Sequence, residues 1–191
     1  MKPLPRRFFE RSPAKVAREL LGKVLVHDSK EGRTSGIIVE TEAYFGKGDP
    51  ASRASRKKTP LNELMWDRGG LAFIYMVHGK WMFNITAEKR GVPGGVLIRA
   101  LEPSEGIELM KKRRGVGDEL LLTSGPGRLT EAMGITKELH GSDLTAPDAP
   151  LRVVPGFWKK FSISSSHRIG VKEDLKRKLR FFVAGNSYVS K

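Results

Sequence analysis

The sequence predicts an α+β fold, with helices and hairpins interspersed around an antiparallel sheet. Three observations carry that class. Paired strand-like runs joined by short polar turns alternate with helix-like segments. No series of βαβ units with a Gly-rich phosphate loop is present. No repeat, low-complexity tract or composition break divides the 191 residues, a length that suits one large domain spanning 1–191.

The elements follow in order. Ser12-Pro13 opens a helix, with Ser as the N-cap and Pro in the first turn. Val16, Leu20 and Leu21 form its buried face and Gly22 ends it. Lys23 to His27 and Thr34 to Glu42 read as two strands, with the polar segment Asp28 to Arg33 as their turn. Gly46 to Pro60 is polar, basic and irregular. A short helix after Thr59-Pro60 would turn Leu61, Leu64 and Met65 inward. Leu71 to Val77 and Trp81 to Thr86 are partner strands about a tight turn at His78-Gly79-Lys80. Val96 to Leu101 is a further strand, running into a helix with Pro103 in its first turn. Lys111, Lys112, Arg113 and Arg114 suit that helix's C-terminus, near Gly115. Ser124 to Leu129 is a loop feeding a helix closed by Gly134, residues 141–160 are loop-rich, and Leu179 to Val183 is the last strand.

Composition narrows the function. A chain of this length buries about 70% of its unfolded surface, so it holds a core without staples. It has no Cys, which excludes disulfides, thiolate metal sites and Cys nucleophiles. No apolar run approaches a membrane span, and the basic start Met1 to Arg7 lacks the apolar stretch of a signal peptide. An intracellular protein, cytoplasmic and nucleoid-associated or nuclear, is expected. The net charge of +14 creates a field that attracts polyanions, with nucleic acid the first candidate and anionic lipid the second. No basic amphipathic helix with Trp or Phe opposite favours lipid.

The segment Val39-Glu40-Thr41-Glu42-Ala43-Tyr44 carries the most chemical information. On a strand, Glu40, Glu42 and Tyr44 point the same way. A carboxylate beside a ring, in a cationic protein, suits acid–base work on a flat group attached to phosphates. Glu42, Asn84 and Arg99 each place a polar group in an otherwise apolar strand. A buried charge costs several kcal/mol unless paired, so Arg99 needs a carboxylate or a cleft, and Glu42 is a candidate partner. Tyr44, Tyr75, His78 and Trp81 lie near turns or strand ends, in a chain whose 52–58 segment is cationic. Such rings commonly pack in a core; beside cations they also suit stacking of an extruded nucleobase. His27, His78, His140 and His167 lack ligand spacing, so no metal site is expected. Ser124-Gly125-Pro126-Gly127 reads as a turn, and could also present backbone N–H groups to a phosphate.

Taken together, these pieces resemble the alkyladenine (3-methyladenine) DNA glycosylase family. The matching segments are Leu20 to Lys23, Ile38 to Tyr44, Asp49 to Ser52, Thr59-Pro60, Val96 to Pro103, Ser124 to Leu129, Arg168 to Gly170 and Leu179 to Phe182. They are collinear and span nearly the whole chain. The resemblance implies a mixed, mostly antiparallel curved sheet with surrounding helices and a protruding β-hairpin. It implies a monofunctional enzyme that flips alkylated or deaminated purines (3-methyladenine, 7-methylguanine, hypoxanthine, ethenoadenine) out of double-stranded DNA. The N-glycosidic bond would then be hydrolysed without metal, cofactor or covalent intermediate. By resemblance Glu42 is the general base, Arg99 holds Glu42 and the water, and the Ile169 carbonyl contacts that water. Tyr44 and Tyr75 would stack the base, with Asn84 at the purine edge against guanine's amino group. Arg53 stands where many relatives have His, and His78 where relatives place a Tyr wedge. The Gly79 to Asn84 interval is one residue shorter, so Trp81 or Met82 could share the wedge role with His78. Arg56, Lys57, Lys58, Gly125 and Arg128 are expected on the DNA backbone. A monomer with no membrane partner is expected. The alternative is a non-catalytic nucleic-acid-binding domain on the same fold; a third reading is an RNA-processing domain.

Overall fold

The computed structural model of the chain describes residues 1–156 and 160–190. Its centre is β2 (Gly32–Tyr44), a long strand paired on both sides. Along one edge runs β5 (Gly95–Glu105). Along the other, the first half of β2 pairs with β1 (Val24–Ser29) and its last residues with β8 (Arg180–Val183). The hairpin of β3 (Ala72–Val77) and β4 (Lys80–Thr86) joins at β5, β6 (Leu151–Val154) adds to β1, and β7 (Ile163–Ser166) to β8. All these pairings are antiparallel, as expected for the α+β class. The sheet curls into a half-barrel, helped by the bulges between β2 and β5, which bend the strands.

Among the described residues four α-helices pack on it: α1 (Arg6–Phe9), α2 (Pro13–Leu20), α3 (Ile107–Arg114) and α4 (Pro126–Met133). In α2 the spacing of Val16, Ala17 and Leu20 buries one face, and Thr41 of β2 donates to the Ala17 carbonyl at 2.9 Å. Leu129, Ala132 and Met133 bury the corresponding face of α4.

The hairpin protrudes. Six residue pairs join β3 to β4, but only Asn84 to Thr86 pair onward with β5, so the tip stands beyond the sheet. His78 and Gly79, both at positive φ (48° and 74°), make the two-residue turn.

Several expectations needed correction. The helix after β5 begins at Ile107, not near Pro103, because β5 continues through Pro103 to pair Glu105 with Ser35. Gly106, at φ 76°, makes the break; a side chain there would collide with the Arg33 carbonyl. The short helix after Pro60 is a 3-10 turn, Glu63–Trp66, which buries Met65 but leaves Leu61 59% exposed. The loop-rich 141–160 segment contains β6, and its residues 157–159 lie outside the described ones. Helix α1 and strand β7 were not anticipated.

Candidate active site

The end of β2 is enclosed because β5 and β8 flank it, so Glu40 and Glu42 are both fully buried. Opposite them the register slips twice. Ile38 faces Leu101 and Glu40 faces Ala100, leaving Val39 extra; then Thr41 faces Ile98, leaving Arg99 extra. A bulge re-aims its extra residue. Arg99 thereby reaches both acids: its Nε donates to Glu40 at 2.8 Å, and a terminal nitrogen lies 3.3 Å from Glu42 Oε1. The sequence favoured Glu42 as the partner of Arg99; the guanidinium is shared, with the shorter contact on Glu40.

Glu42 is held on both oxygens. The Ile169 amide donates to Oε1 at 2.8 Å and the Tyr44 hydroxyl to Oε2 at 2.8 Å. Arg99 adds an ion-pair contact at 3.3 Å, so two of about four lone-pair positions accept hydrogen bonds and at least one remains for a water. Burial pushes the Glu42 carboxyl up; Arg99, the Ile169 N–H and Tyr44 oppose that, while Glu40 adds to it, and the balance lies above the ordinary range. Burial, with Glu42 beside it, also raises the Tyr44 hydroxyl. Ile169 was expected to act through its carbonyl; the bond seen here is made by its amide, and the residue is 37% exposed.

The loop carrying Ile169 is fixed by Arg168. That guanidinium, its side chain fully buried, bonds Asp49 at 2.6 and 2.8 Å, Asp174 at 2.6 and 2.9 Å and the Ala43 carbonyl at 3.0 Å. It also lies 4.6 Å over the Tyr44 ring, so one face of that ring is already covered. Burial works against its charge, but the two carboxylates overcome that and raise its pKa.

Tyr75 is half-buried near Tyr44 and Glu42, and burial raises its hydroxyl. The Arg53 guanidinium lies 4.8 Å from the Tyr75 ring centroid. Asn84 is buried, and its amide donates to the Phe73 and Met82 carbonyls at 3.3 Å. Paired opposite Phe73, Asn84 lies on the same face of the hairpin as Tyr75. His78 is exposed at the hairpin tip, three residues and about 10 Å of strand beyond Tyr75.

The expected phosphate contacts lie outside this cluster. Arg56, Lys57 and Lys58 are exposed, on a loop stapled by Asn62 to the carbonyls of Arg53 and Lys57 at 2.7 and 3.1 Å. Arg128 is exposed at the start of α4. The Gly125 amide, expected to be available, donates to the Thr123 carbonyl at 3.0 Å. Among the described residues no group of three or more His, Asp or Glu is placed to hold a metal ion.

Sequence reasoning missed Asp49, Arg168 and Asp174, and also Arg180 and Ser190, which grip Glu40. Arg180 carried a readable signal: a charge in the apolar strand Leu179 to Val183, the same signal that singled out Arg99.

A buried acid shared with an arginine, edged by two tyrosines on a strongly cationic α+β scaffold, defines a site suited to a flat, polyanion-borne group. The comparisons narrow that class. The family model for methylpurine-DNA glycosylase matches residues 7–187. A protein of Chlorobaculum tepidum is 42% identical over the whole chain and 92% of its own length. One of Methanoculleus marisnigri is 42% identical over 98% of each chain, and one of Bacillus licheniformis 40% identical over the whole chain and 97% of its own length. All three carry the name "Putative 3-methyladenine DNA glycosylase". The chain belongs to the methylpurine-DNA glycosylase family.

Proposed function

We propose that residues 1–191 act as one monomeric DNA glycosylase domain that flips a damaged purine out of double-stranded DNA and hydrolyses its N-glycosidic bond. The observation that carries this reading is the Glu42 carboxylate, held by Arg99, Tyr44 and the Ile169 amide with at least one acceptor position left. A water there loses its proton to Glu42 as its oxygen bonds to C1′ of the sugar. The C1′–N bond breaks, its electron pair leaves with the purine, and an abasic site remains. The sugar passes through oxocarbenium character, which the carboxylate also stabilises. Arg99 orients Glu42 and the water, and the Ile169 carbonyl is the water's further acceptor. The reaction uses water and the protein's own side-chain and backbone groups.

Tyr75 and the uncovered face of Tyr44 stack the extruded base, with Asn84 and Arg53 at its edge. Cationic methylpurines attract those rings. His78 fills the gap left in the duplex, with Trp81 or Met82 beside it, and Arg56, Lys57, Lys58 and Arg128 contact phosphates. The segment around Gly125 approaches the backbone through groups other than its own amide. Such an enzyme works wherever the genome is, inside the cell.

The test is a panel of duplexes containing hypoxanthine, ethenoadenine, 7-methylguanine or 3-methyladenine, incubated with the protein and treated with alkali. Strand cleavage at the lesion is expected. Tight lesion binding with no cleavage anywhere in the panel would leave a non-catalytic binding domain.

A further inference from the structure

Glu40 is the buried charge that the proposed reaction does not use. It lies fully buried two residues before Glu42. Four groups converge on it: Arg99 Nε at 2.8 Å, Arg180 Nε at 2.6 Å, the Ser190 amide at 2.7 Å and the Ser190 hydroxyl at 2.9 Å. Arg99 also reaches the Ser190 hydroxyl at 3.3 Å, and Arg180 the Ser190 carbonyl at 2.9 Å. Two arginines, one carboxylate and one serine thus form a largely buried network, which Arg180 extends to the Ser166 hydroxyl at 3.1 Å. It meets the candidate active site at one point, the guanidinium of Arg99, which lies 3.3 Å from Glu42.

An ion pair kept only for stability would not need to share its cation with a second buried acid, since such sharing leaves one acid under-compensated. Here the competition is built into the geometry. Glu40 has two guanidinium groups and two serine donors; Glu42 has one longer contact to a guanidinium plus two neutral donors. We infer that Glu40 is a positioning residue which, with Arg180 and Ser190, sets how much of the Arg99 charge is available to Glu42. Arg180 bears on the same balance: each bond it makes to Glu40 frees Arg99 for Glu42. The inference rests on Glu42 as the working acid and adds the device that adjusts it.

Every charged or titratable group facing Glu42 enters the balance. These are Glu40 and Tyr44 from β2, Arg99 from β5, Tyr75 from β3 and Arg168 over the Tyr44 ring, with Arg180 of β8 acting through Glu40. Removing Glu40's charge leaves Arg99 to Glu42 alone and deletes a neighbouring negative charge. Both changes favour the ionised Glu42. Removing Arg180 pulls Arg99 toward Glu40 and deletes a nearby positive charge. Both changes disfavour it.

The experiment is a pH titration of the Glu42 carboxyl carbon by NMR in 13C-labelled protein, with the resonance assigned by its loss in Glu42→Gln. Glu40→Gln should lower the midpoint by about one pH unit and Arg180→Gln should raise it by a similar amount. Midpoints that stay put, or that move in the same direction in both variants, overturn the proposal, because loss of Glu40, which competes for Arg99, and loss of Arg180, which relieves that competition, must move Glu42 in opposite directions. Should Glu40→Gln fail to fold, Arg180→Gln decides alone: an upward shift upholds the proposal and an unmoved midpoint overturns it. Base release by the unmodified protein from the panel of four lesion duplexes is measured alongside. Opposed shifts without base release would overturn the glycosylase reading and leave the role of Glu40 standing.

Discussion

At the scale of single residues, the fate of Glu42 is decided by competition between burial and its partners. Burial wins, so its carboxyl titrates above the ordinary carboxylate range. The working form of a general base is ionised, and that fraction falls as pH drops through the raised pKa. Single-turnover base release should therefore decline on the acid side at a higher pH than an ordinary glutamate would give. A flat rate down to the ordinary carboxylate range would contradict this. Arg53 places a cation 4.8 Å from the Tyr75 ring. At the edge of the proposed base site, a cation repels a positively charged purine more than a neutral one. Arg53→Ala should raise excision of 7-methylguanine relative to hypoxanthine by about three- to tenfold, checked by competing the two duplexes in one tube. Glu42, Arg99 and Tyr44 were legible because each interrupts an apolar strand or ends it. The clamp on Glu40 was not, because its Ser190 partner is 150 residues away and an ordinary serine in sequence.

At the scale of elements, the site depends on two bulged or fixed segments. The bulge at Arg99 aims one guanidinium at two acids, and the Arg168 clamp holds the loop whose amide meets Glu42. Alternation of strand residues correctly put Glu42 and Tyr44 together, but register slips are invisible to alternation. The same blindness explains Pro103: as an early-helix proline it reads well, yet it lies in a strand whose bulged pairing with Gly36 tolerates the missing N–H. Strand β6 was missed because Pro150 and Pro155 bracket it, and β7 because three of its four residues are Ser. The clamp gives a stability prediction. Asp49→Ala leaves the buried Arg168 guanidinium with one carboxylate and should cost about 3–5 kcal/mol in urea unfolding. Asp174→Ala, at a more exposed acid, should cost less. Equal costs would mean that burial does not set the strength of the clamp.

At the scale of the whole molecule, charge is the dominant property. The excess of +14 was readable at once and suits a polyanionic partner. Sequence could name cationic stretches but could not tell which of them face solvent. The structure leaves Arg56, Lys57 and Lys58 exposed, and engages Arg168, Arg180 and Arg99 inside. The outer cations should govern affinity and the inner ones geometry. Replacing Lys57 and Lys58 together by Ala should reduce the slope of log affinity against log salt by about one per lost phosphate contact. The preference for lesion over undamaged duplex should stay unchanged in the same titrations. A changed preference with an unchanged slope would place these lysines in the pocket instead.

The central claim is that one acid, at position 42, takes the proton from the attacking water. Its most direct test is single-turnover release of hypoxanthine by Glu42→Gln, with binding of the same duplex measured in parallel. The account predicts a rate lower by about 10²- to 10⁴-fold with binding retained. Base release at the unsubstituted rate would contradict it.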